Sequence, residues 1–128
     1  MAPGRSLPLA ALLLATAAPA AAADAGRGEQ LYEQRCGACH GLDADRVGPR
    51  HRGVFGRVVG SIAGFAYSPA LLRARMTWND KTLDAWLADP ERLLPGQRMG
   101  YSVPDAADRA DIIAFLRQVS LPPGAEKR

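Results

Sequence analysis

The chain has 128 residues, with only two tryptophans, three tyrosines and three phenylalanines against 13 glycines and 10 prolines. So small a domain has little apolar volume for a core of its own. Its formal net charge is +3, but the arginines are scattered and form no stripe interleaved with aromatics, which argues against a nucleic-acid-binding protein.

The first predicted element is a targeting segment, residues 1–23. Arg5 supplies a positive start, Leu7 to Ala18 is apolar, and Ala21-Ala22-Ala23 offers an A-x-A cleavage site. The run is short and alanine-rich for a transmembrane span. The expectation is a cleaved signal peptide, no stable membrane insertion afterwards, and one exported domain over 24–128, placed in a bacterial periplasm.

Ala25 to Cys36 reads as a helix, with Leu31 and Tyr32 apolar and Arg27, Glu29, Glu33 and Arg35 facing solvent. Gly28 is a poor residue for a helix interior, which points to another element crossing close to its backbone.

Cys36-Gly37-Ala38-Cys39-His40 follows, the C-x-x-C-H signature of covalent haem attachment. Two thiols three residues apart can each bond one edge carbon of a porphyrin, and the adjacent imidazole can ligate its iron. Thioredoxin-like and zinc sites share the C-x-x-C part. Zinc would need two further ligands, yet the chain has no third cysteine and only His51 beyond His40. A thioredoxin-like site would follow a strand, and the preceding residues do not read as one. Covalent attachment suits an exported chain, where close thiols would otherwise tend to oxidise. Haem would supply the missing apolar volume, and its two propionates would bring the holoprotein close to neutral.

From Gly41 to Gly64 six glycines and Pro49 break any period. A loop of this length in a compact domain is usually wrapped on something, here the haem. Ser68 to Met76 reads as a short helix. Asn79 caps a clearer one bearing Leu83, Trp86 and Leu87, which Pro90 ends. Leu93 to Val103 is irregular. Ser102 as cap, Pro104 in the first turn and Asp105 at the dipole then open a helix running to about Val119. The fold class is all-α with long loops.

A haem iron held by His40 needs a sixth ligand or an open site, and His51, Met76 and Met99 are the candidates. His51 stands only eleven residues past His40, too near to reach the opposite face without a tight excursion. Met76 adjoins a helix and reads as core. Met99 lies in the non-helical Leu94–Gly100 loop with Pro95 and Gly96. A rigid loop of that kind can present a thioether without burying it as packing, so Met99 is the expected ligand.

Across nearly all of 25–120 the chain resembles the class I cytochromes c, the mitochondrial type and its short bacterial relatives. Gly28 and Tyr32 match the family's N-terminal helix, and Cys36, Cys39 and His40 match its haem motif. Gly48-Pro49-Arg50-His51-Arg52-Gly53-Val54-Phe55-Gly56-Arg57 matches G-P-x-L-x-G-x-x-G-R. Gly64-Phe65-Ala66-Tyr67 and Trp78 match a G-F-x-Y and a later tryptophan. Asp89-Pro90 through Met99 is similar to N-P-x-x-x-x-P-G-x-x-M, and Ile112-Ile113-Ala114-Phe115-Leu116 to L-I-A-[YF]-L. The resemblance implies that the Pro49 carbonyl accepts from His40, and that Arg57, Tyr67 and Trp78 hydrogen-bond a buried propionate. It implies that Trp86 stands near the methionine sulfur, where the family has a tyrosine, and that Tyr101 replaces a phenylalanine at the haem edge. It implies that Gly28 and Phe115 mark the crossing of the terminal helices.

Four departures stand out. His51 takes an apolar position, and the loop between His40 and Gly48 is shorter than in the mitochondrial type. Leu71 replaces a polar residue. The basic ring at the haem edge keeps Arg35, Arg92 and Arg98 but is interrupted by Glu91 and Asp105, which weakens steering toward an acidic partner. The expected function is a soluble, monomeric one-electron carrier with one covalent haem c. It would be bonded to Cys36 and Cys39, ligated by His40 and Met99, and would shuttle between redox proteins such as an oxidase, a cytochrome complex or a dehydrogenase. It would not be an enzyme. The rivals are an open-site haem sensor or weak peroxidase, and a dedicated dehydrogenase subunit.

Overall fold

The computed structural model describes residues 1–6, 11–19 and 21–125, so part of the expected signal peptide (7–10 and 20) lies outside the described residues. Among those described, the elements are helices α1 (Ala25–Arg35), α2 (Pro69–Arg73), α3 (Asp80–Ala88), α4 (Pro90–Leu93) and α5 (Ala106–Gln118). They contain no strand beyond an isolated antiparallel bridge between Val58 and Thr77. The all-α expectation holds. No helix among the described residues is long and apolar enough to cross a membrane.

Helices α1 and α5 cross, and the crossing is close because Gly28 allows it. A Cβ on Gly28 would stand 1.9 Å from the Asp111 carbonyl oxygen, so any larger residue would push backbone from backbone. Beside the glycine, the Tyr32 and Phe115 rings meet at 5.2 Å between centroids. Arg27 reaches over the junction to Asp108 at 2.6 Å and Asp111 at 2.7 Å, and the Asp24 backbone N–H donates to Asp111 Oδ1 at 2.8 Å. Polar groups therefore seal the rim of an apolar contact. Tyr32, Ile112, Ile113, Phe115 and Leu116 join Leu83, Trp86 and Leu87 of α3 in one core cluster.

Local capping explains most helix starts. The Asp24 carboxylate accepts from Arg27 N at 3.0 Å to open α1. Asn79 and Thr82 form a reciprocal capping box on α3. Three boundaries differ from the sequence expectation. Ser102 does not cap α5: Val103 is wholly buried and its N–H donates to the Leu87 carbonyl at 2.7 Å. That bond and burial keep 102–104 out of the helix, so Asp105 becomes the cap, accepting from Asp108 N at 2.9 Å. Pro90 ends α3 but also begins α4, with Asp89 closing one helix and capping the next through Arg92 N at 3.1 Å. Finally, α2 stops at Arg73 rather than reaching Met76. The Met76 carbonyl is taken by Val59 N at 3.0 Å, lashing the 41–64 loop to this segment.

Candidate haem site

The loops and helices enclose a cavity of about 550 Å³, within the ordinary range for a sizeable organic ligand. One wall is the turn leaving α1. The Tyr32 carbonyl accepts from Cys36 N and Gly37 N at 2.8 and 3.0 Å, and the Cys36 carbonyl accepts from Cys39 N and His40 N at 3.0 and 2.9 Å. This tight winding brings Cys36, Cys39 and His40 to the same cavity. Both cysteines are free thiols. Burial, with a smaller contribution from Cys39, pushes the Cys36 thiol up to about 11. A thiol held protonated is not a ready thiolate ligand or redox nucleophile.

His40 is fixed on several sides. Its Nδ1–H donates to the Pro49 carbonyl at 2.8 Å, which leaves Nε2 as the unprotonated nitrogen, free to act as a ligand. Gly48 lies against the same ring: a Cβ there would be 2.1 Å from His40 Cε1. The His51 ring stacks on His40, with centroids 3.9 Å apart and planes inclined by 20°. Burial lowers the His40 pKa, opposed by the Pro49 bond. Burial, then the neighbouring His40 and Arg57, push that of His51 well below its ordinary value. Both rings are thus held neutral.

Met99 lines the cavity from the loop after α4. The Glu91 carboxylate accepts from Gly96 N at 2.9 Å and Gln97 Nε2 at 3.0 Å, and Gln97 Oε1 accepts from Gly100 N at 2.8 Å. Those two donors, Gln97 first, hold the Glu91 pKa below its ordinary value. The loop is therefore braced on both sides of the thioether. Met76 packs against the core cluster and does not line the cavity. His51 lines it on the His40 side.

Arg57, Tyr67, Trp78 and Trp86 also face the cavity. The Arg57 guanidinium donates to the Arg50 and Arg52 carbonyls, both at 2.7 Å. Burial lowers its pKa, yet arginine remains charged. The Tyr67 hydroxyl oxygen accepts from Ile62 N at 3.1 Å, which does not use its own proton. The Trp78 and Trp86 rings pack at 5.5 Å. At the mouth, Arg35 Nε donates to the Tyr101 hydroxyl at 3.0 Å.

Sequence reasoning left the role of His51 open and did not foresee its bond with Tyr32. The Tyr32 hydroxyl lies 3.0 Å from His51 Nδ1. The only sequence signal was a polar residue where the resemblance calls for an apolar one. Arg35 and Tyr101, 66 positions apart, gave no signal of their pairing.

The donor set fits a c-type haem: two free thiols, an imidazole presenting Nε2, a thioether, apolar walls, and a glycine where a side chain would collide with the imidazole. The comparisons agree. The family model "Cytochrome c" matches residues 25–120. The chain is 39% identical to cytochrome c of Chlamydomonas reinhardtii over 84% of this chain and 99% of the relative. It is 40% identical to cytochrome c2 of Blastochloris viridis, over 84% and 87%. The solved structure of cytochrome cH from Methylobacterium extorquens superposes with a TM-score of 0.71 at 38% identity, covering 74% of this chain and 98% of that one. The chain belongs to the class I cytochrome c family, haem-containing electron carriers with one c-type haem covalently attached through cysteines of the kind present here.

Proposed function

We propose that the protein is a soluble, monomeric periplasmic one-electron carrier whose haem iron is ligated by His40 and Met99. It would serve redox protein partners rather than transform a substrate. The observation that carries the reading is the convergence of Cys36, Cys39, His40 and Met99 on one apolar cavity. When bound, the haem supplies a one-electron couple, and thioether ligation raises its potential relative to bis-nitrogen ligation.

The polypeptide does the rest. Cys36 and Cys39 anchor the macrocycle. Pro49 holds the His40 tautomer and increases the basicity of its free nitrogen. Glu91 and Gln97 hold the Met99 loop so that the sulfur stays in place in both redox states. Arg57, Tyr67 and Trp78 are assigned to a propionate, and Trp86 to the surroundings of the thioether. Packed walls of Leu83, Leu87 and Leu116 exclude water, and a stiff, dry site reorganises little on electron transfer. Residues 1–23 are assigned to export.

The test is the visible spectrum of the matured ferric protein, followed by reduction under carbon monoxide. A weak far-red sulfur-to-iron band and no carbon monoxide adduct are expected. Absence of the band with ready carbon monoxide binding would replace the carrier reading with an open-site sensor or peroxidase.

A further inference from the structure

The Tyr32–His51 pair is not accounted for by anchoring or ligation. His51 is built into its place at three points. Its backbone N–H donates to the Gly41 carbonyl and its carbonyl accepts from Val54 N, both at 2.9 Å. Its Nδ1 meets the Tyr32 hydroxyl at 3.0 Å. Tyr32 is itself only 4% exposed, and burial above all pushes its phenol up to about 12, so the hydroxyl is protonated and donates. The result is a flat ring held in place against His40.

What that ring does follows from the restraints His40 lacks without it. One hydrogen bond from Nδ1 to Pro49 fixes the tautomer and the distance, but it tolerates rocking of the imidazole plane about the bond axis. Gly48 lies against the ring near Cε1, where a Cβ would be 2.1 Å away, but a backbone without a side chain presents no flat surface to align the plane. A stacked plate 3.9 Å away and nearly parallel removes the rocking freedom. An aliphatic side chain at position 51 would fill the volume without defining a plane.

We infer that His51, anchored by the Tyr32 hydroxyl, is a positioning residue that sets the plane of the His40 imidazole against the haem. The inference rests on the reading of His40 as the haem ligand. Because the iron orbitals that carry the electron are oriented by the planes of the axial ligands, the Tyr32–His51 pair orients the electronic ground state of the ferric haem. It does so without touching the metal.

The experiment compares the ferric holoproteins of the unaltered chain, Tyr32→Phe, His51→Leu and the double variant by proton NMR, reading the four haem-methyl shifts. The double variant leaves no buried hydroxyl without an acceptor, which protects folding. His51→Leu and the double variant should re-space the methyl shifts. Tyr32→Phe should shift them the same way by less, and the effects should be non-additive because the two residues act as a unit. An unchanged methyl pattern in a double variant that keeps its far-red band overturns this inference alone. A spectrum of the unaltered protein showing no histidine-ligated covalent haem overturns the ligand assignment, and this inference with it.

Discussion

Gly28 and Asp111 touch through backbone: the space for a Cβ on the glycine is already filled by the Asp111 carbonyl, 1.9 Å away. Two helices from opposite ends of the domain are thus joined where one lacks a side chain. Gly28→Ala must move main chain rather than rotate a side chain. Overpacking of this kind costs about 3 kcal/mol, which in a domain of this size lowers the midpoint by roughly 10–20 °C. Thermal unfolding of the holoprotein followed by circular dichroism checks it. An unchanged midpoint would mean that the helices part freely.

Met99→Ala should open the sixth position while leaving the fold in place, because the loop is held by Glu91 and Gln97 rather than by the thioether. The ferrous variant is expected to bind carbon monoxide and the ferric variant to lose its far-red band. If both spectra match the unaltered protein, another residue ligates the iron.

Asp111 carries the pH dependence of the helix crossing. The Asp24 N–H first, and then Arg27, hold its carboxyl below the ordinary carboxylate value. A carboxyl lowered in the fold contributes stability that is complete above its unfolded pKa, near 3.9, and is lost as pH falls through the lower folded value. Asp111→Asn should therefore lower the unfolding midpoint at neutral pH and converge with the unaltered protein in acid, once the pH has fallen below the lowered folded value. A deficit that persists undiminished in acid would assign the effect to packing. The measurement is the unfolding midpoint of both proteins across that range.

Replacing both Cys36 and Cys39 by Ala should abolish covalent haem. It should also leave a chain without a cooperative thermal transition, since the cavity would stand open in a domain with little core of its own. Far-ultraviolet circular dichroism decides it: a helical apoprotein that melts sharply would show that the polypeptide suffices.

Whether a feature could be read from the sequence depended on how far away its cause lay. The Asn79 cap acts across three residues and was visible in the chain, as was the C-x-x-C-H motif, whereas the return bond from Thr82 that completes the capping box was not read. Gly28 was legible as a crossing point because a glycine inside a helix needs a tertiary reason. The start of α5 was misplaced because Val103 is pinned by Leu87, a contact no local pattern encodes. The end of α2 was overextended for the same reason, through Val59 and Met76. The helix α4 escaped notice because Pro90 was read only as a stop, although proline is also at home in a first turn. The residues lining the cavity were mostly accessible from motif order, whereas the stacking of His51 on His40 is a product of the folded loop alone.

The hydrogen bond from Asp24 N to Asp111 Oδ1, 2.8 Å long, also bears on maturation. Cleavage after Ala23, as proposed, would turn that backbone amide into a terminal ammonium at the same nitrogen, facing a carboxylate across the α1–α5 junction. Trimming the leader would exchange a neutral donor for a charged one, and charge-assisted bonds are the stronger kind. Cleavage would then stabilise the fold it releases, with the newly exposed chain end tightening the clasp between the two termini of the domain.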